Sequence, residues 1–303
     1  MIAAFEPRDL LRAAPPLGFL PALRVILGAE PDDGGEPRLE DRDPDFVARF
    51  FEGFSWLADR YFRHRVYGVE NVPARGAALI VGNHSGGISL VDWGLTLAAI
   101  YKEHGPERAV YGLGHDFIQW LPVYRKYSRK LGGLRAGHDA AHEAFARGHM
   151  VIVYPGSDFD SFRPFAERDR VVLAERTGFI ELALRARVPI LPVVTAGAQE
   201  QYVVLTRGEG LARLLDLKRR LRSNVLPIGL SIPWGLAPTL LPYVPLPTQI
   251  TTAFLPAMAW PDLGPDAADD AAAVRRCYDE VEAVMQARLD ALTLGRVPWV
   301  GQP

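Results

Sequence analysis

Ala77-Ala-Leu-Ile-Val-Gly-Asn-His-Ser-Gly-Gly-Ile-Ser-Leu-Val-Asp-Trp93 joins an unbroken apolar run to a loop of small and polar residues, then to a helical pattern. Apolar residues without alternation, as in Ala77–Val81, read as a strand buried on both faces, the form strands take in parallel sheets. Ser89–Glu103 continues as a helix. The alternation recurs downstream. A helix over Asp139–Arg147 precedes a second strand, Val151–Tyr154, and a helix over Val171–Arg187 leads into a third, Val188–Val194. Strands separated by helices predict an α/β fold with a mainly parallel sheet covered by helices.

Outside this block the pattern changes. Residues 1–43 are rich in Pro, Gly and Asp, and Glu30–Pro37 reads as an exposed linker. Phe46, Phe50, Phe51, Phe54, Leu57, Tyr61 and Phe62 recur at helical spacing and predict an aromatic helix over Phe46–Tyr67. Such a helix either packs on its own domain or lies in a membrane interface. A long C-terminal helix is expected over Asp266–Leu292, with Val274, Tyr278, Val281, Met285, Leu289 and Leu292 on one face. The expected organisation is an N-terminal linker and helix (1–67), an α/β domain (68–262) and a C-terminal helix packed on it (263–303).

The chain has 303 residues, 49 % apolar and 23 % charged, which excludes extended disorder and a collagen-like fibre. Thirty-four basic and thirty-six acidic residues give a net charge of −2, so no global attraction to nucleic acid is expected. The single cysteine, Cys277, forbids an intramolecular disulfide. Met1–Asp9 shows no basic segment leading into an apolar one, so a cytoplasmic location is expected. Ser223–Pro261 carries no charged residue, but prolines at 227, 233, 238, 242, 245, 247, 256 and 261 interrupt it. A spanning helix needs about 20 apolar residues in a row, and each interior proline costs ~3 kcal/mol. This stretch is not expected to span.

His84 is the leading candidate for chemistry, because sites in open α/β sheets gather beyond the carboxyl ends of strands. Gly86 and Gly87 permit positive φ and close approach of the backbone to a ligand. Their amides, with the following helix N-terminus, are candidate donors to a developing oxyanion. Asp92 has two readings. Ser89-Leu-Val-Asp92 matches a capping box, and a carboxylate near the imidazole would fix its tautomer and raise its basicity.

Asn83-His84 with a downstream Asp resembles the first motif of the glycerolipid acyltransferase family, which acylates glycerol phosphate, lysophospholipids and acylglycerols. That family usually has His-x4-Asp; here Ser89 holds that place and Asp92 follows three residues later. Leu131-Gly-Gly-Leu-Arg135 resembles the second motif and Arg187–Val193 the fourth. The strand Gly148–Tyr154 leads into a segment similar to the third. There the family commonly has Phe-Pro-Glu-Gly, whose glutamate helps position a glycerol-type acceptor, and this chain has Tyr154-Pro155-Gly156-Ser157. The resemblance runs from about Val66 to Gln201 and is nearer the acylglycerol and bacterial branch.

It implies an O-acyltransferase moving a fatty acyl group from acyl-CoA or acyl carrier protein to a lipid hydroxyl. His84 would act as general base and Asp92 as its partner. Asn83, Ser85, Gly86, Gly87, Arg135, Tyr154, Pro155, Gly156 and Ser157 would line the substrate site. The partners implied are the acyl thioester, a lipid acceptor and a membrane surface, with no cofactor and no metal. Two rivals remain: a catalytically silent lipid-binding protein of the same fold, and a serine lipase or esterase, since Asn83-His-Ser85-Gly-Gly87 comes near a nucleophile elbow.

Arg125, Lys126, Arg129, Lys130 and Arg135 form a stretch with no acidic residue, suited to coenzyme A phosphates or to a solvated face. Lys218, Arg219, Arg220 and Arg222 stand directly before the charge-free stretch. With Trp234 and its apolar neighbours Leu236, Leu240, Leu241 and Tyr243 they predict contact with the inner face of a membrane. His138, His142, Glu143 and His149 have partial metal-site spacing but read as helix surface, and His115-Asp116 reads as structural. Oligomeric state is left open.

Overall fold

The computed structural model describes residues 35–114, 127–221, 223–241 and 243–302. Among the described residues ten strands form two sheets. The larger holds β1 (Arg65–Tyr67), β2 (Ala78–Gly82), β3 (Val110–Gly114), β4 (Gly133–Arg135), β5 (Met150–Val153), β6 (Ile190–Ala196) and β10 (Thr251–Phe254), in the order β1-β10-β6-β2-β5-β3-β4. The five strands from β6 to β4 are parallel; β10 is antiparallel to β6, and β1 runs parallel to β10. A smaller antiparallel sheet joins β7 (Val203–Thr206), β8 (Ile228–Ser231) and β9 (Gly235–Pro238).

Successive side chains on a strand point to opposite faces, and the central strands divide two cores this way. Leu79, Val81, Val151 and Val194 enter one core, whereas Ala78, Ile80, Ile152 and Val193 enter the other. Helices α1 (Pro44–Trp56) and α2 (Val91–His104) cover the second face through Phe46, Phe51, Leu97 and Ile100. Helices α3 (His138–Ala146), α5 (Gly178–Ala186) and α8 (Ala271–Thr293) cover the first. A short α4 (Ser157–Ser161) follows β5, and α6 (Glu209–Leu214) and α7 (Leu217–Leu221) lie between β7 and β8. The expected stripe on α8, from Val274 to Leu292, is buried as a unit. Asp270 caps that helix through the Ala272 amide (2.9 Å).

Three expectations need correction. The aromatic helix stops at Trp56, not Tyr67. It winds into a π turn over Leu57–Tyr61, Arg63 takes φ 42°, and Arg65–Tyr67 then pairs with β10. Phe46, Val47 and Phe51 are buried, so α1 packs on its own domain. The helix expected over Val171–Arg187 begins only at Gly178, because Ala174 and Glu175 adopt φ 58° and 55°. Val171 and Leu173 nevertheless reach the core from this irregular segment. The helix expected from Ser89 begins at Val91, for a reason that belongs to the active site.

Candidate active site

Three adjacent parallel strands end side by side. The loop after β2 carries His84, the turn after β5 carries Tyr154–Ser157, and the turn after β6 carries Ala198–Gln201. This is the carboxyl edge, where ligands bind in such sheets.

His84 Nδ1 lies 2.8 Å from Asp92 Oδ2. The same oxygen accepts the Ser85 amide at 2.7 Å. Asp92 is fully buried in the first turn of α2, where the helix dipole favours an anion. The imidazole keeps 13 % of its side-chain surface. Among the described residues its Nε2 has no hydrogen-bond partner, so that nitrogen is free to meet a substrate. Burial draws His84 toward its neutral form, but the charge and hydrogen bond of Asp92, with Asp160 beyond, outweigh burial and the opposing Arg163. His84 therefore titrates above the usual histidine value of 6.5. The Tyr154 ring packs on the imidazole at 4.9 Å between centroids.

The capping-box reading of Ser89 and Asp92 does not hold. The N-cap of α2 is Leu90 at φ 52°, and no side chain caps it. Ser89 Oγ turns back to the Gly86 carbonyl (2.6 Å) and Gln201 Oε1 (3.1 Å). Gly86 and Gly87 do adopt positive φ, 98° and 57°, and a Cβ on either would stand 2.6 Å from Gln201 Nε2 or the Tyr202 hydroxyl. The Tyr243 hydroxyl also donates to the Gly86 carbonyl. The Gly86 amide, expected to face an oxyanion, points instead at Gln199 Oε1 (3.4 Å). Asn83 is a brace between strands: its amide donates to the Thr195 carbonyl (3.0 Å) and its oxygen accepts the Thr195 N–H (2.8 Å).

In the segment after β5, Gly156 is wedged against the Val172 carbonyl and Asp160, so no side chain fits where the family commonly has glutamate. The Pro155 carbonyl accepts from Arg176 (3.0 Å), and Ser157 turns at φ 46°. Sequence reasoning missed Asp160, Arg163, Gln199, Glu200 and Gln201, all buried around the His84 loop. Arg163 Nη2 donates to Ser85 Oγ at 2.6 Å. Ser85 is thus buried against a guanidinium while His84 Nδ1 faces Asp92, which is not the geometry of a serine nucleophile. Glu200 forms a buried ion pair with Arg296 and accepts the Trp299 amide (2.6 Å), tying the C-terminal segment to this turn.

Three cations of the basic stretch are paired with acids distant in the chain. Arg129 lies 3.4 Å from Asp41, Lys130 3.6 Å from Asp43 and Arg135 3.1 Å from Glu36. Acids far back in the chain supply what the local sequence lacks. Arg125, Lys126, His115, Asp116, Arg222 and the Arg220 side chain lie outside the described residues. Glu143 pairs with Arg147 (2.5 Å) and the His149 ring packs on Tyr111.

Lys218 and Arg219 are exposed, the latter 3.1 Å from Asp216. Trp234 and Ile232 are exposed in the turn between β8 and β9, as are Leu230 and Leu236 on those strands, where they pair directly with each other. Leu240 and Tyr243, expected at the surface, instead pack on a buried cluster with Tyr202 and Val204.

Residues 63–196 match the family model described as Acyltransferase. This segment is similar to the acyltransferase family over less than half of the chain. It contains β1 to β6, His84, Asp92, Asp160 and Arg163. An uncharacterized protein of Mycobacterium tuberculosis is 34 % identical over 236 residues, covering 78 % of this chain and 63 % of the relative. The human "DGAT1/2-independent enzyme synthesizing storage lipids" is 26 % identical over 206 residues, covering 68 % of this chain and 60 % of that protein. The chain therefore spans under two thirds of these relatives' lengths. The crystal structure of the 1-acyl-sn-glycerophosphate acyltransferase PlsC from Thermotoga maritima matches with a TM-score of 0.54 at 18 % identity. That match covers 94 % of this chain and 96 % of PlsC, and it establishes a shared fold.

Proposed function

We propose that this protein is an O-acyltransferase that moves a fatty acyl group from acyl-CoA or acyl carrier protein to a hydroxyl of a glycerolipid or related lipid. The observation that carries the reading is the His84–Asp92 pair at the end of β2, with Nε2 unpartnered among the described residues and the ring partly exposed. Asp92 holds the proton on Nδ1, so Nε2 presents its lone pair to the acceptor hydroxyl. As Nε2 takes that proton, the hydroxyl oxygen attacks the thioester carbonyl carbon. The C–S bond then breaks, and the departing thiolate recovers the proton from the imidazolium. The products are an ester and a free thiol. The name of the human relative, an enzyme synthesizing storage lipids, supports the reading of a lipid acceptor.

Among the described residues no helix is long and apolar enough to cross a membrane. The proposed route to a lipid acceptor is docking at the membrane surface, which the exposed apolar turn of the small sheet supports. The exposed Leu230, Ile232, Trp234 and Leu236 supply apolar contact, and Lys218 and Arg219 supply attraction to anionic headgroups at about 1 kcal/mol per charge. The expected setting is the inner face of a membrane.

Incubation with radiolabelled acyl-CoA or acyl carrier protein and a panel of lipid acceptors tests the proposal. Label in an acylated lipid supports it. Label released only as free fatty acid points to a hydrolase, and no turnover of either donor with bound lipid points to a silent binding protein.

A further inference from the structure

We infer that Asp160 and Arg163 form a buried clamp on the backbone of His84 and are positioning residues for its proton transfer. The inference rests on the reading of His84 as general base. Asp160 Oδ2 accepts the His84 N–H, and Asp160 Oδ1 accepts from Arg163 Nη1. That same Nη1 donates to the His84 carbonyl at 2.9 Å, and Nη2 reaches Ser85 Oγ at 2.6 Å. One ion pair therefore grips the peptide groups on both sides of the His84 Cα.

Both side chains are 0 % exposed, so neither is placed to bind substrate. The guanidinium is further occupied by the Arg168 carbonyl, at 3.4 Å from Nε and 3.3 Å from Nη2. Gln199 completes the bracket. Its Nε2 donates to the Arg163 carbonyl at 2.7 Å while its Oε1 faces the Gly86 amide.

Apolar packing would serve stability as well as a buried ion pair does. What the planar guanidinium fork adds is direction, because its donors meet several acceptors at fixed angles. Asp92 aims the ring, and the clamp fixes the backbone from which the ring is aimed. Without the clamp the loop keeps the Asn83–Thr195 brace before His84 and the Asp92 and Gly86 contacts after it, but nothing among the described residues holds the His84 N–H and carbonyl that flank its Cα. A displacement of Nε2 by about 1 Å can cost about 10²-fold in rate.

The test measures kcat and KM with palmitoyl-CoA for Arg163→Lys and Asp160→Asn, each made in the parent and in His84→Ala, with folding checked by circular dichroism. Arg163→Lys keeps the charge and loses the fork. Asp160→Asn keeps the shape and carries the same test if Arg163→Lys does not fold. The expected result is a fall in kcat of about 10²-fold, a KM for palmitoyl-CoA within about threefold of the parent, and less than twofold further loss in the His84→Ala background. An unchanged kcat in a folded variant would overturn the clamp, as would the same proportional loss in both backgrounds. Full turnover by His84→Ala alone would overturn the general-base reading, and the clamp with it.

Discussion

Asp92 Oδ2 and His84 Nδ1 meet at 2.8 Å although eight positions separate them in the chain. The family's usual spacing is three residues shorter, and the 3-10 turn Gly87–Ser89 takes up the difference. Gly86 and Gly87 at positive φ and Leu90 at φ 52° reverse the chain around that turn, so α2 starts late, with Asp92 facing back toward the histidine. A longer loop thus delivers the same pair of groups to each other.

The pair sets the pH dependence. On the proposed reading His84 is the general base and must be neutral, so turnover should rise with pH through the His84 pKa, which lies above 6.5. Asp92→Asn removes the charge that holds this value up, so the acidic limb of the pH–rate profile should move to lower pH while the maximal rate falls. The same raised value means that His84 stabilises the fold below about 6.5, a contribution lost as pH rises through its folded pKa. An unmoved acidic limb in Asp92→Asn would show that another group titrates.

Gly156 should tolerate nothing larger. A Cβ there would collide with the Val172 carbonyl, a backbone atom, and with Asp160. Overpacking of this kind costs about 1–3 kcal/mol. Gly156→Ala should lower the midpoint of urea unfolding accordingly and reduce turnover, because Asp160 must move. A variant with parental stability and rate would show that the segment yields without disturbing the clamp.

Docking should have two separable parts. Lys218→Ser with Arg219→Ser should weaken binding to anionic vesicles at low salt and leave a salt-resistant remainder, since surface charge is screened over about 8–10 Å. Leu236→Asp should remove much of that remainder, because Leu236 is 65 % exposed on the apolar face. Vesicle co-sedimentation across a salt series measures both, and each variant should keep activity on a detergent-dispersed acceptor. Equal binding by all three proteins would exclude this face.

How far the sequence could be read follows from the kind of signal each feature leaves. The central strands were legible because Leu79, Ile80 and Val81 are buried on both faces and need apolar side chains. His84 and Asp92 were legible because their side chains carry the interaction. Asp160 and Arg163 act on backbone atoms of His84, 76 and 79 positions away, and a backbone partner imposes no residue type. The compensation of Arg129 and Lys130 was hidden for a related reason: Asp41 and Asp43 come from a segment that only tertiary folding brings close. In the charge-free stretch, prolines excluded a spanning helix correctly. Leu236 is exposed as expected, but nothing in the stretch signals that Leu240 and Tyr243 turn inward, the latter to Gly86.

Acyl transfer by His84→Ala, compared with the parent in the same preparation and with folding verified, tests the central claim most directly. With radiolabelled acyl-CoA and the preferred lipid acceptor, the account predicts a fall of about 10²–10⁴-fold in labelled product from a protein that remains folded. Label transferred to lipid at the parental rate by a folded His84→Ala protein would contradict it.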